Sequence, residues 1–187
     1  MRAGVACGTV LSLLACGALV GCSNSHNKFP DVSDQIRNGL DQAGLKDVSV
    51  HQDRDKGVVT LTGTTVSDSD RGHAESIAKS IASSEVVSDQ IAVRPTGEES
   101  AAKTVDSDTD KGIEKNFDAV LVKHKLEHTV KYDVKNGVVT LSGKVKSETQ
   151  RDDVQKMASN VPNVRQVVNE LEVRGHKATT SKASSSD

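Results

Sequence analysis

The chain has 187 residues, enough for one mid-sized domain or two small ones. Aromatic residues make up 2% of it and tryptophan is absent, so a core has to be built from Val, Leu, Ile and Ala. A net charge of -2 excludes the basic character of a general nucleic-acid binder, and no nucleic-acid partner is expected.

Met1 and Arg2 form a short positive start, and Ala3 to Val20 is an uncharged run of apolar and small residues, the layout of an export signal. An uncleaved anchor or an ordinary secretory signal is the alternative, but Gly4, Gly8 and Gly17 weaken a spanning helix. Leu19-Val20-Gly21-Cys22 resembles a bacterial lipobox. That resemblance implies cleavage before Cys22, acylation of Cys22 as the new N-terminus and permanent attachment to a membrane. Cys7 and Cys16 would leave with the signal in residues 1–22, so no disulfide can form within the monomer. Ser23 in place of Asp implies, by analogy with enterobacterial sorting, the outer membrane. Residues 23–30 read as a polar tether.

Beyond the tether lies an internal repeat. Gly57-Val58-Val59-Thr60-Leu61-Thr62-Gly63 returns as Gly137-Val138-Val139-Thr140-Leu141-Ser142-Gly143, an offset of 80. Carried along the chain without a gap, that offset matches Val50 to Val130, Asp53 to Asp133, Arg71 to Arg151 and Val93 to Val173. Two copies are too few for a solenoid, so each reads as a domain. In each copy a first helix carries an apolar stripe, Ile36 and Leu40 or Ile113, Phe117 and Leu121, with Ser33 and Asp34 or Asp110 as caps. Two strands follow, joined by a turn at Lys56-Gly57 or Asn136-Gly137 and closed by Gly63 or Gly143; these glycines and Asn136 are expected to be structural turn residues. A second helix begins at Ser67 or Ser147 and buries Ala74, Ile77, Ala78 and Ile81, or Val154, Met157, Ala158 and Val161. A last strand holds Val87, Ile91 and Val93, or Val167, Leu171 and Val173. The expected fold class is α+β: two α-β-β-α-β modules, each a three-stranded sheet with two helices on one face.

That order, the Gly-Val-Val-Thr-Leu-Thr/Ser-Gly hairpin, the Arg eight residues on and the closing Val-x-x-x-Ile/Leu-x-Val resemble the BON domain, over Asp31 to Arg94 and Thr109 to Arg174. With the lipobox, the chain is similar to tandem BON-domain outer-membrane lipoproteins. The resemblance implies a periplasm-facing protein associated with anionic phospholipid and with envelope integrity or stress tolerance. Copy one has Ser84-Glu85-Val86 where copy two has Val164-Arg165-Gln166 and the family usually places Gly-Val.

Charge separates the copies: residues 31–94 carry seven Lys or Arg against eleven Asp or Glu, and residues 109–174 twelve against ten. Basic surface is drawn to anionic bilayers. Lys115, Lys123 and Lys125, with Val122, are therefore the expected membrane contacts, the plain alternative being an ordinary solvated surface. His124-Lys125-Leu126-Glu127-His128 matches a zinc-binding H-x-x-E-H, but it falls where a helix is ending and has no third ligand. Asp106 to Asp110 imitates the start of a calcium loop, yet Phe117 occupies the position of the bidentate Glu. Asp53 and Asp133 sit beside their turns and are read as turn hydrogen-bonders. No catalytic residue, metal or cofactor is expected.

Residues 95–108 read as a flexible linker and residues 175–187 as a disordered tail. Two functions fit. One is anionic-lipid binding by the second module beside the Cys22 anchor. The other is a scaffold lipoprotein that docks an envelope assembly protein on a sheet edge and touches lipid only through Cys22.

Overall fold

A computed structural model describes residues 28–174. Cys22 and the signal, most of the tether, and the tail lie outside the described residues. The architecture is α+β, two repeats of one module. The first consists of α1 (Ser33–Gln42), β1 (Val48–Asp53), β2 (Val58–Thr65), α2 (Asp68–Ile81), β3 (Val86–Asp89) and β4 (Ala92–Val93). The second consists of α3 (Glu99–Lys123), β5 (Val130–Lys135), β6 (Val138–Val145), α4 (Glu148–Ser159), β7 (Gln166–Asn169) and β8 (Glu172–Val173).

Each sheet is mixed. β2 is central, antiparallel to β1 and parallel to β3 and β4; β6 stands in the same way to β5, β7 and β8. The last strand of each module is split by one side chain. The Asp89 carboxylate accepts from the Ile91 amide at 3.1 Å, and the Asn169 carbonyl accepts from Leu171 at 3.1 Å. The kink swings Ile91 and Leu171 into the core, where both are fully buried.

The helices cover one face of each sheet. Ile36, Leu40, Ala74 and Ala78 close on Val48, Val50, Val59 and Leu61. Ile113, Phe117, Leu121, Val154 and Ala158 close on Val130, Val139, Leu141 and Val145. The capping hydroxyls of α2 and α4 are the expected ones, Ser67 accepting from the Asp70 amide and Ser147 from the Gln150 amide.

The repeat does not keep one offset. It is 80 from β2 onward, but β1 and β5 are related by 82, since Val48 faces Gly63 and Val130 faces Gly143. Val130 thus answers Val48, and Tyr132 answers Val50. The cause is the hairpin turn. Asn136 (φ 49°) and Gly137 (φ 76°) alone close the second hairpin, as a tight turn with two positive φ values requires. The first runs from Arg54 to Gly57 and is held by the Asp53 carboxylate, which accepts from the amides of Asp55 and Lys56, both at 3.1 Å.

Two expectations are corrected. Residues 95–108 are not a flexible linker throughout: α3 begins at Glu99 and continues through Phe117 to Lys123, about 37 Å at the usual rise. Arg94 pairs with Asp106 and ties this helix back to the first module. Asp110 therefore lies inside α3 and caps nothing; its two carboxylate oxygens accept from the amides of Asn136 and Gly137, both at 2.8 Å. In the first module Val32 stands at the N-cap of α1 with no side-chain bond, and Asp31 accepts from the Ser33 hydroxyl at 2.7 Å instead.

Candidate interaction surface

The expected contact residues lie along the outer face and at the C-terminal end of α3. Ile113, Phe117 and Leu121 hold the inner face of α3 in the core, which leaves Lys115 and Val122 on its solvent face. Val122 is 60% exposed, one of three large hydrophobic residues so placed among those described. Lys123 closes α3, and Lys125 follows at φ 57°, a left-handed residue that stops the helix. That stop lies inside the H-x-x-E-H sequence, so His124 and His128 are not on one helical face. Among the described residues no group of three or more His, Cys, Asp or Glu could hold a metal ion. Nor is any described helix long and apolar enough to cross a membrane.

The turn residues do structural work. Gly57, Gly63, Gly137 and Gly143 all have positive φ. At Gly143 a Cβ would come 2.4 Å from the Thr129 carbonyl oxygen, so the close approach of β5 to β6 excludes any side chain.

A second surface, not anticipated from the sequence, joins the modules. Lys56, in the first turn, donates to Glu170 beyond β7 at 2.5 Å; its counterpart Asn136, in the second turn, donates to the carbonyl of Gln90 beyond β3 at 2.8 Å. The two contacts are related by the offset of 80, so the modules meet with approximate two-fold symmetry, and β3 and β7 run in opposite directions. Val58, Val138 and Val168, with Val86, form a small apolar cluster between them.

Gln166 fills a specific role there. Its side-chain amide donates to the Val87 carbonyl at 2.6 Å and accepts from the Asp89 amide at 3.0 Å. Those are the two backbone groups that a residue of a neighbouring parallel strand would use. The side chain thus closes the outer edge of β3 as a strand would. Gln166→Ala leaves both groups without these bonds, an expected cost of about 1 to 3 kcal/mol. Amide exchange at Asp89 should quicken in that variant; unchanged exchange would show that the edge is satisfied without Gln166.

Asp89 lies at the same junction, 3.6 Å from Arg71 of its own module and 3.8 Å from Arg165 of the other. Burial raises its pKa above the ordinary aspartate value, against the opposing pull of the Ile91 amide, Arg165 and Arg71. Between the unfolded and the raised folded value the folded chain holds a proton that the unfolded chain lacks, so this group's contribution to stability falls as pH rises through that window. Asp89→Asn, the residue found at Asn169 in the other copy, removes that contribution. Denaturant melts across the acid range should show the variant gaining on the parent as pH rises; a constant difference would contradict the assignment.

A cleft of ≈ 250 Å³ opens beside this junction, lined among others by Asp68, Arg71, Asp106, Asp110, Asn136 and Arg165. Among its charged groups Arg71 pairs with Asp68 at 2.7 Å, and Arg165 donates through Nε to the Asn136 carbonyl at 2.8 Å. The sequence carried one signal for this junction, the Val164-Arg165-Gln166 departure between the copies, because two of its three residues cross the boundary.

The BON domain profile matches residues 30–95 and 109–175. Osmotically-inducible protein Y of Escherichia coli (strain K12) is 31% identical over 139 residues, spanning 72% of this chain and 67% of that protein. Among solved structures, CdsD, a structural protein of the type III secretion system of Chlamydia trachomatis, aligns at 14% identity and a TM-score of 0.29, over 76% of this chain and 61% of that one. A C-terminal domain structure of CdsD aligns at 12% identity and a TM-score of 0.29, over 75% of this chain and 66% of that one.

Proposed function

The chain belongs to the BON-domain family, and from that premise we propose that it is a bacterial envelope lipoprotein whose second module binds anionic phospholipid at the periplasmic face of the outer membrane. Its role is binding in support of envelope integrity or stress tolerance, without catalysis. The relative named for osmotic induction supports the stress setting. Cys22 supplies the acyl anchor.

The observation that carries the reading is the exposure of Lys115 and Val122 along α3 and of Lys123 and Lys125 at its end. Lysines at a membrane surface contribute about 1 kcal/mol each, and a neighbouring exposed valine adds apolar contact at the headgroup boundary. The test is the triple reversal Lys115→Glu, Lys123→Glu, Lys125→Glu. It should lower affinity for anionic vesicles by about 3 kcal/mol or more while leaving the melting profile intact. Equal binding by the reversed chain would contradict the assignment.

A second reading, docking of an envelope assembly protein, rests on β1 and β5. Each is an outermost strand of its sheet, whereas β3 is closed by Gln166. An extended segment could pair with either edge.

A further inference from the structure

The two modules are an internal control for each other, and the difference between them extends beyond the helix end. Superposed by their pairing, Lys123 and Lys125 answer Gln42 and Gly44, Lys131 answers Ser49, and Lys144 and Lys146 answer Thr64 and Val66. Five lysines thus replace five uncharged residues on one fold. The fold does not require them, since the first module forms without them.

All five are exposed, and connectivity gathers them at one end. α3 stops there, β5 starts there, and β6 finishes there beside Arg174, whose amide bonds the Val145 carbonyl at 3.0 Å. The opposing charges at this end are Glu172, paired with Lys144 at 3.3 Å, Glu127 beside His128, and Glu148, which is paired with Arg151 at 3.2 Å. In the first module Arg94, the counterpart of Arg174, is occupied by Asp106.

The junction fixes where this end points. Because β3 and β7 run in opposite directions, the lysine end of the second module lies on the same side as the hairpin turn of the first. Phe29 enters at that turn, its amide bonding the Arg54 carbonyl at 3.0 Å. The chain before Lys28 therefore starts from the side on which the lysines project. With Cys22 acylated, the six residues to Lys28 span at most roughly 20 Å.

We infer that Lys131, Lys144 and Lys146, from the strands of the second module, form with Lys123 and Lys125 a single basic end that docks on an anionic bilayer. This rests on the membrane reading above and extends it from a helix face to a whole end of the module.

The test uses the chain from Ser23 onward, which keeps every described residue, with vesicles of phosphatidylcholine alone or mixed with phosphatidylglycerol. Lys131→Gln, Lys144→Gln, Lys146→Gln together should weaken binding to the mixed vesicles on the order of 100-fold. A control with Lys46→Gln, Lys79→Gln and Lys103→Gln removes the same charge from other exposed sites and should change binding only a few-fold. Parent-like binding by the strand variant, alongside loss in Lys123→Gln, Lys125→Gln, would overturn the inference and leave the helix reading standing. Equal loss in the control would also overturn it, as an effect of net charge alone. Failure of the parent to bind mixed vesicles would overturn both.

Discussion

Gly63→Ala is expected to destabilise the first module by about 3 kcal/mol or more. Gly63 has φ +110°, where an L side chain is strained by about 1 to 3 kcal/mol. Its Cβ would also lie 2.0 Å from the Asp47 carbonyl oxygen. That atom is backbone of the residue just before β1 and cannot turn away, so the start of β1 must shift, adding an overpacking cost of about 1 to 3 kcal/mol. Gly44→Ala is the matched comparison: φ is +77°, with nothing within 4 Å of the added carbon, so only the conformational strain remains. Urea unfolding of the two variants should rank them far apart, and a similar small loss in both would show that the strand contact yields.

Phe117→Ala should cost about 3 to 5 kcal/mol, the range for removing a large buried aromatic. Phe117 is fully buried among Val, Leu and Ile, and packs edge-on against Tyr132 with ring centres 5.0 Å apart. Tyr132 in turn donates to Asp118 at 2.6 Å, binding β5 to the outer part of α3. In a chain with 2% aromatics this pair anchors the helix that carries Lys115 and Lys123. Loss of Phe117 should therefore lower vesicle affinity at temperatures where the module still melts cooperatively. Full affinity under those conditions would mean that α3 does not need this anchor.

The parts of the fold governed by periodicity were legible. Valines alternating around Gly57 and Gly137, and apolar residues four apart at Ile113, Phe117 and Leu121, each report one local geometry that burial then enforces. The correspondence of β1 to β5 is off by two at the continued offset of 80 because Val50 and Val130 are both buried strand residues, and Asp53 and Asp133 share a residue type. Only the turn shows the difference, four residues held by a carboxylate in one copy and Asn-Gly in the other. The helix from Glu99 was hidden by a polar composition that suits a linker. It is held by non-local contacts, Arg94 with Asp106 and Asp110 with the second turn, which no local pattern reveals.

The junction showed in the sequence only as the Val164-Arg165-Gln166 departure between the copies, which does not say what those residues touch. Gln166 reads as an unremarkable polar residue at the start of a strand, and its use becomes apparent only when the edge of β3 is brought beside it. The expected contact lysines follow from the charge asymmetry between the copies, which composition alone displays. Their extension to Lys131, Lys144 and Lys146 needed the strands to be placed. By bridging the modules, the junction turns that local charge into a surface with a direction relative to the tether.

The central claim is direct recognition of anionic lipid by the modules themselves. The measurement that tests it is co-sedimentation of the chain from Ser23, lacking Cys22 and any acyl group, with zwitterionic and anionic vesicles over a salt series. The account predicts binding that requires anionic lipid and weakens as salt screens the lysines. Absence of binding to either vesicle, or binding indifferent to lipid charge and salt, would contradict it and leave Cys22 as the membrane contact and a protein as the ligand of the modules.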